Sequence, residues 1–208
     1  MLKVEGKTFD FVHDTQDIYR KLLDCMARPG KINCIKDSLI GIEEISGISQ
    51  SLVALAYTLV DREVTFHVKA ENRQTVEKHI SRRTYSKSSQ GNEAQYLFIE
   101  KYLSNEDIQK VMGEVQFGTL EDPHLSTTII LGIDSLSATP EYEQKLELKG
   151  PGIQTSRTLY LNGLSPQWLI DRKIVNAEFP LGVDMILVSK SGSVAALPRT
   201  TIIESECV

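Results

Sequence analysis

Two short apolar runs near the end of the chain constrain it most: Met185-Ile186-Leu187-Val188 and Val194-Ala195-Ala196-Leu197. Each is too short for a helix that must bury a face, and both are rich in strand formers. Between them lies Lys190-Ser191-Gly192-Ser193, a turn sequence in which Gly192 can take a positive φ. Pro180 precedes the first run and Pro198 follows the second, where neither has to donate to a ladder. The pair therefore reads as a β-hairpin. With no polar residue inside either run, both faces must be covered. Polar residues collect at its open end, with Asp184 on one side and Arg199, Thr200 and Thr201 on the other.

A hairpin buried on both faces needs partners, and the preceding sequence supplies them. A helix is expected from Asp14, taken as its N-cap, with Ile18, Leu22, Cys25 and Met26 as its apolar stripe. Arg28-Pro29-Gly30 ends it. Lys31 to Lys36 is read as a strand. Ser49 to Val60 is a helix apolar nearly all round, which belongs in an interior. Glu63 to Lys69 alternates as a strand. A polar helix from Glu71 to Arg83, a loop from Tyr85 to Glu93 and a strand from Tyr96 to Glu100 follow. Asn105 to Glu114 is a helix capped by Ser104, with Asp107 three residues on. Thr128 to Ile133 is a strongly apolar strand. Ser135 to Tyr142 is a loop, Lys145 to Lys149 a strand, and Thr158 to Leu161 a short strand. Ser165-Pro166 opens a helix that runs to about Asn176. Strands alternating with helices before a final hairpin give an α/β class with a mixed sheet covered by helices on both faces. No linker divides residues 1–208, so a single domain is expected; Met1 to Val12 is an extended lead-in and Cys207-Val208 a tail.

A net charge of −5, spread along the chain, argues against a nucleic-acid partner, which wants a concentrated basic surface. The longest apolar run, Leu52 to Val60, is too short to span a bilayer. Cys25, Cys34 and Cys207 have no metal-like spacing and read as reduced thiols of a cytoplasmic protein, with Cys34 packed in apolar surroundings. His13, His67, His79 and His124 are scattered and form no metal motif.

Pro180-Leu181-Gly182 with Asp184, then Pro198-Arg199-Thr200-Thr201, resembles the H-subunit family of the bacterial carbon–phosphorus lyase system. Further stretches agree in order: Met26-Ala27-Arg28-Pro29-Gly30, the segment from Gly118 to the strand at Thr128, and Leu146 to Ile153 with its Gly150-Pro151-Gly152 turn. The middle, Glu71 to Gln116, is similar only in pattern. The resemblance implies a three-layer αβα sandwich like that of the pyridoxal-phosphate transferases, without the cofactor. It implies a homodimer within a core complex of G, I and J subunits. The implied activity is synthesis of ribose 1-phosphonate 5-triphosphate from ATP and an alkylphosphonate. It implies no catalytic residue that carries over to this chain.

Candidate chemistry centres on the hairpin end. Arg199, Thr200 and Thr201 could hold a phosphate or phosphonate through a guanidinium fork and two hydroxyls. Equally, Arg199 could pair with Asp184 and lock the hairpin. Gly150 and Gly152 could admit backbone amides to an anion or simply form a turn; the stretch lacks P-loop spacing. Lys149 is the best-placed lysine for a Schiff base, but nothing around it marks it as desolvated, and no cofactor is expected. No nucleophile elbow is present. Ile80, Val111 and Tyr160 are candidate positions for apolar surface facing a partner. Two functional readings follow: a subunit of a multisubunit transferase, or a stand-alone binder or enzyme for a small anionic ligand.

Overall fold

The computed structural model describes residues 7–100, 102–142 and 144–206. Five α-helices and eleven strands are formed by the described residues, in the order α1 (His13–Ala27), β1 (Asn33–Cys34), α2 (Gln50–Leu59), β2 (Thr65–Lys69), α3 (Arg73–Thr84), β3 (Lys87–Ser88), β4 (Tyr96–Ile99), α4 (Asn105–Glu114), β5 (Thr128–Ile133), β6 (Ser135–Ser137), β7 (Gln144–Lys149), β8 (Arg157–Asn162), α5 (Pro166–Val175), β9 (Asp184–Ser189), β10 (Ser193–Leu197) and β11 (Ile202–Glu206).

A seven-stranded mixed sheet runs β1-β10-β9-β5-β4-β2-β3. Strands β3, β2, β4, β5 and β9 are parallel, and β10 returns antiparallel. The expected hairpin is present, pairing Val194 with Val188 and Leu197 with Met185 across a turn where Gly192 has φ +89°. Alternation sends its side chains into two cores. Ile186, Val188, Val194 and Ala196 point to one, and Met185, Leu187, Ala195 and Leu197 to the other.

The first core is closed by α1, α2 and α3 through Ile18, Leu22, Leu52, Leu55, Val76 and Ile80. Helix α2 is buried from Ser51 to Tyr57, as its all-round apolar sequence requires. The second face differs from expectation. Helices α4 and α5 cover part of it, and a four-stranded antiparallel sheet, β11-β7-β8-β6, covers the rest. Leu146, Leu148, Leu159 and Leu161 point inward from that sheet.

Several local expectations are corrected. Asp14 does not cap α1: Asp10 takes the N–H groups of Val12 and His13 at 2.8 and 3.0 Å, and Asp14 instead accepts from the Asp10 N–H at 2.9 Å. The cap goes to the carboxylate that the preceding turn places beneath the first free amides. The strand expected over Lys31 to Lys36 shrinks to Asn33–Cys34, because Lys36–Leu39 turns into a 3₁₀ helix. Two stretches read as loops contain strands, β3 and β6, each held by cross-strand pairing that three or fewer residues cannot reveal alone. Cys34 is exposed rather than packed, while Cys25 is buried. Ile80 and Val111 are buried and offer no surface to a partner; Tyr160 is half-buried. The caps at Ser104 and Ser165 form as read, accepting from the Asp107 and Gln167 amides. Residues 1–6 of the lead-in and the tail at Cys207-Val208 lie outside the described residues. Among the described residues, no helix is long and apolar enough to cross a membrane.

Leu52 is fully buried where α2 meets the sheet. Leu52→Ala is expected to lower unfolding stability by about 2–5 kcal/mol, read from the midpoint of urea denaturation.

Candidate functional site

Leu197 pairs with Met185 as the last pair of the hairpin, and just beyond it the open end brings Asp184 and Arg199 together. Asp184 Oδ1 accepts the Arg199 backbone N–H at 2.7 Å, and Oδ2 accepts from Nη2 at 2.7 Å. Both side chains are only 16% exposed. Arg199 Nη1 donates to the Pro123 carbonyl at 2.9 Å and the Pro180 carbonyl at 3.3 Å, and Nη2 to Ser126 Oγ at 2.5 Å. Of the two roles open to Arg199, the pairing with Asp184 is the one formed. The guanidinium ties three segments together: the turn at Pro123, the Pro180 loop and the hairpin end.

Beyond Arg199 the chain turns, with the Thr201 N–H donating to the Pro198 carbonyl at 2.8 Å. Helix α5 lies against this turn. Arg172, near the helix C-terminus, reaches under it: Nη1 donates to the Thr201 carbonyl at 3.1 Å, and Nη2 to the Leu197 and Pro198 carbonyls at 3.3 and 2.5 Å. Burial pushes the Arg172 guanidinium down to about 10, which leaves it protonated at neutral pH. Asn176 completes the junction, accepting from the Val183 N–H at 2.8 Å and donating to the Val183 carbonyl at 3.1 Å. A groove of about 710 Å³ opens here, lined among others by Pro151, Arg172, Lys173, Asn176, Thr200 and Thr201.

The two glycines of the Gly-Pro-Gly turn serve different contacts. Gly150 packs on the hairpin end, where a Cβ would meet the Thr200 carbonyl at 2.9 Å. Gly152 faces away from it, toward the end of α1. Its φ is +82°, and a Cβ would sit 2.3 Å from the Ala27 carbonyl oxygen. Asp184, Arg199, Thr200, Thr201 and Gly150 are therefore gathered in one place, and Gly152 is not. Lys149 pairs with Glu204 at 2.8 Å on the second sheet.

A second cavity, of about 660 Å³, opens at the C-terminal ends of β2, β4 and β9, beside the start of α2. Glu100 sits there and accepts from the Ser49 N–H at 2.9 Å and the Ser49 hydroxyl at 2.7 Å. Lys190 lies 3.9 Å from the other Glu100 oxygen. Glu71 and Tyr102 also line it, and the Tyr102 phenol is pushed up to about 12, chiefly by its hydrogen bond to Asp134. Between β2 and β4 the connections diverge, since β2 is followed by α3 on one face and β4 by α4 on the other. Open α/β sheets form ligand crevices at such points. Sequence reasoning missed Arg172 and this cavity alike, because both depend on which strands lie side by side.

A sequence model of the family described as bacterial phosphonate metabolism protein (PhnH) matches residues 7–204. The chain belongs to the PhnH family. Among its relatives, a protein of Stutzerimonas stutzeri named as a C-P lyase subunit, HtxG, is 30% identical over 186 residues, spanning 89% of this chain and 84% of that protein. The alpha-D-ribose 1-methylphosphonate 5-triphosphate synthase subunit PhnH of Rhizobium meliloti (strain 1021) is 32% identical over 209 residues, spanning 97% of this chain and 96% of that one. The span matched to PhnH takes in the hairpin, the Gly-Pro-Gly turn, the groove and the second cavity.

Removing one member of a largely buried ion pair strands the other charge. Arg199→Ala is expected to lower stability by about 3–5 kcal/mol, seen as a lower Tm in calorimetry. Gly152→Ala is expected to destabilise by about 1–3 kcal/mol on the same readout, because it adds a Cβ at a left-handed φ against a carbonyl.

Proposed function

We propose that this chain is a subunit of a carbon–phosphorus lyase assembly, acting in the synthesis of ribose 1-phosphonate 5-triphosphate from ATP and an alkylphosphonate. The observation that carries this is the near-complete coverage in both directions with a relative named as a subunit of that synthase. The PhnH family match over residues 7–204 agrees with it.

In this reading the chain works as one cytoplasmic unit over residues 1–208, forms a homodimer, and joins G, I and J subunits that complete the chemistry. Its relation to the pyridoxal-phosphate transferases is one of architecture, a mixed sheet flanked by helices, and no cofactor is assigned to it. The arrangement at the hairpin supports a scaffolding part: Asp184 and Arg199, the most reactive-looking pair in the sequence, hold segments together. Thr200 and Thr201 beside them remain the candidate polar contacts for an anion.

The test is complementation in a bacterium that lacks its own H-subunit gene. Expression of this chain is expected to restore growth on methylphosphonate as sole phosphorus source, and tagged chain to co-purify with the other core subunits. Failure of a stably expressed chain to restore growth, with none of those subunits captured, would overturn the reading.

A further inference from the structure

The groove beside α5 carries a charge imbalance that the hairpin lock does not account for. Arg172 lines it and is only 3% exposed. A guanidinium taken out of water is costly unless a counter-ion goes with it. Its bonds run to three backbone carbonyls, its Nε has no partner, and no ion pair to it forms among the described residues. Asp184 is near enough to act on it electrostatically but is engaged with Arg199. Glu204 lines the groove too, and it pairs with Lys149. Lys173, next along the helix and exposed, adds a second positive charge with no ion pair among the described residues.

Hydroxyls complete the lining. Thr201 is 3% exposed and its Oγ1 has no partner among the described residues; Thr200 precedes it on the same turn. Leu169, Ala177 and Phe179 form an apolar wall.

We infer that this groove binds a small tetrahedral phosphorus oxyanion, a phosphate or an organic phosphonate, between Lys173 and the Thr200–Thr201 turn, with Arg172 supplying charge from beneath. A dianion matches two unpaired cations, whereas a carboxylate would leave one unmatched. Threonine hydroxyls donate to the oxygens, and the apolar wall suits a carbon substituent on phosphorus. A purely structural Arg172, latching α5 to the hairpin, explains its Nη contacts but leaves Nε and Thr201 Oγ1 without a role.

The site stands on this chain's own residues; only the choice of methylphosphonate as a probe rests on the proposed function. The test is calorimetric titration of the purified full chain with methylphosphonate, inorganic phosphate and acetate, at constant ionic strength set by chloride. Methylphosphonate or phosphate is expected to bind, and acetate is not. The double variant Lys173→Gln, Thr200→Val is expected to weaken binding about tenfold or more while leaving the Tm of the unliganded protein unchanged, since it removes a charge-assisted contact from an exposed position and a hydroxyl from a half-buried one. Tighter methylphosphonate would identify an organic phosphonate as the ligand, and tighter phosphate a phosphate. Heats indistinguishable from chloride, or equal affinity in the double variant, would overturn the inference. Arg172→Gln gives a second arm: folded protein with undiminished affinity would overturn it as well. If that variant does not fold, the double variant decides. Because the titration uses the isolated chain, its failure leaves the growth test standing.

Discussion

Two-sided burial of the central strands is the constraint on which this structure depends. Strands β4, β5, β9 and β10 carry apolar side chains at consecutive positions, so each residue step sends the next side chain to the opposite core. Neither face can be left to water. One face takes three helices, the other two helices and a small sheet, and the chain order follows from covering both. A slip of one residue in the hairpin would exchange the side chains of the two cores, and Met185 and Leu187 would face a space shaped for Ile186 and Val188.

The polar chemistry is a by-product of the same constraint. Nothing charged can sit within the runs, so charged and hydroxylated residues gather where the hairpin ends. There, Asp184 and Arg199 neutralise each other and bind three segments together. Arg172 enters from α5 to satisfy carbonyls that the turn leaves open, and in doing so it carries inward a charge that forms no ion pair among the described residues. The hairpin end thus carries one closed ion pair, with Arg172 and Lys173 of α5 beside it forming no ion pair among the described residues. The phosphorus oxyanion proposed for the groove would sit against these cations and the Thr200–Thr201 turn.

Much of the fold was legible because burial writes itself into periodicity. The hairpin, the all-apolar α2, the alternation of β2 and the serine caps of α4 and α5 each rest on residues within one element. The elements that escaped notice were those made by contact between distant parts. Strands β3, β6 and β11 are short or half-polar and exist because a neighbour supplies their hydrogen bonds. The cap of α1 went to Asp10 rather than Asp14 because the preceding turn, not the residue type, decides which carboxylate meets the free amides. Of the candidate site, Asp184, Arg199, Thr200, Thr201 and Gly150 were gathered as the motif suggested, while Gly152 turned toward α1.

The amino-acid order alone determined that this chain has a core-spanning hairpin, an interior helix and a mixed α/β architecture, since those follow from the spacing of apolar residues. It also pointed to the family, through the resemblance carried by Pro-Leu-Gly, Gly-Pro-Gly and Pro-Arg-Thr-Thr, and the family model over residues 7–204 agrees. Tertiary structure alone decided that the second face is half sheet, that Arg199 is closed by Asp184, and that Arg172 bonds to the Thr201 carbonyl with no ion pair among the described residues. The two arginine contacts join residues 15 and 29 positions apart, and the second sheet pairs Ile202 with Lys149 far earlier in the chain, separations that folding closes and spacing along the chain does not encode.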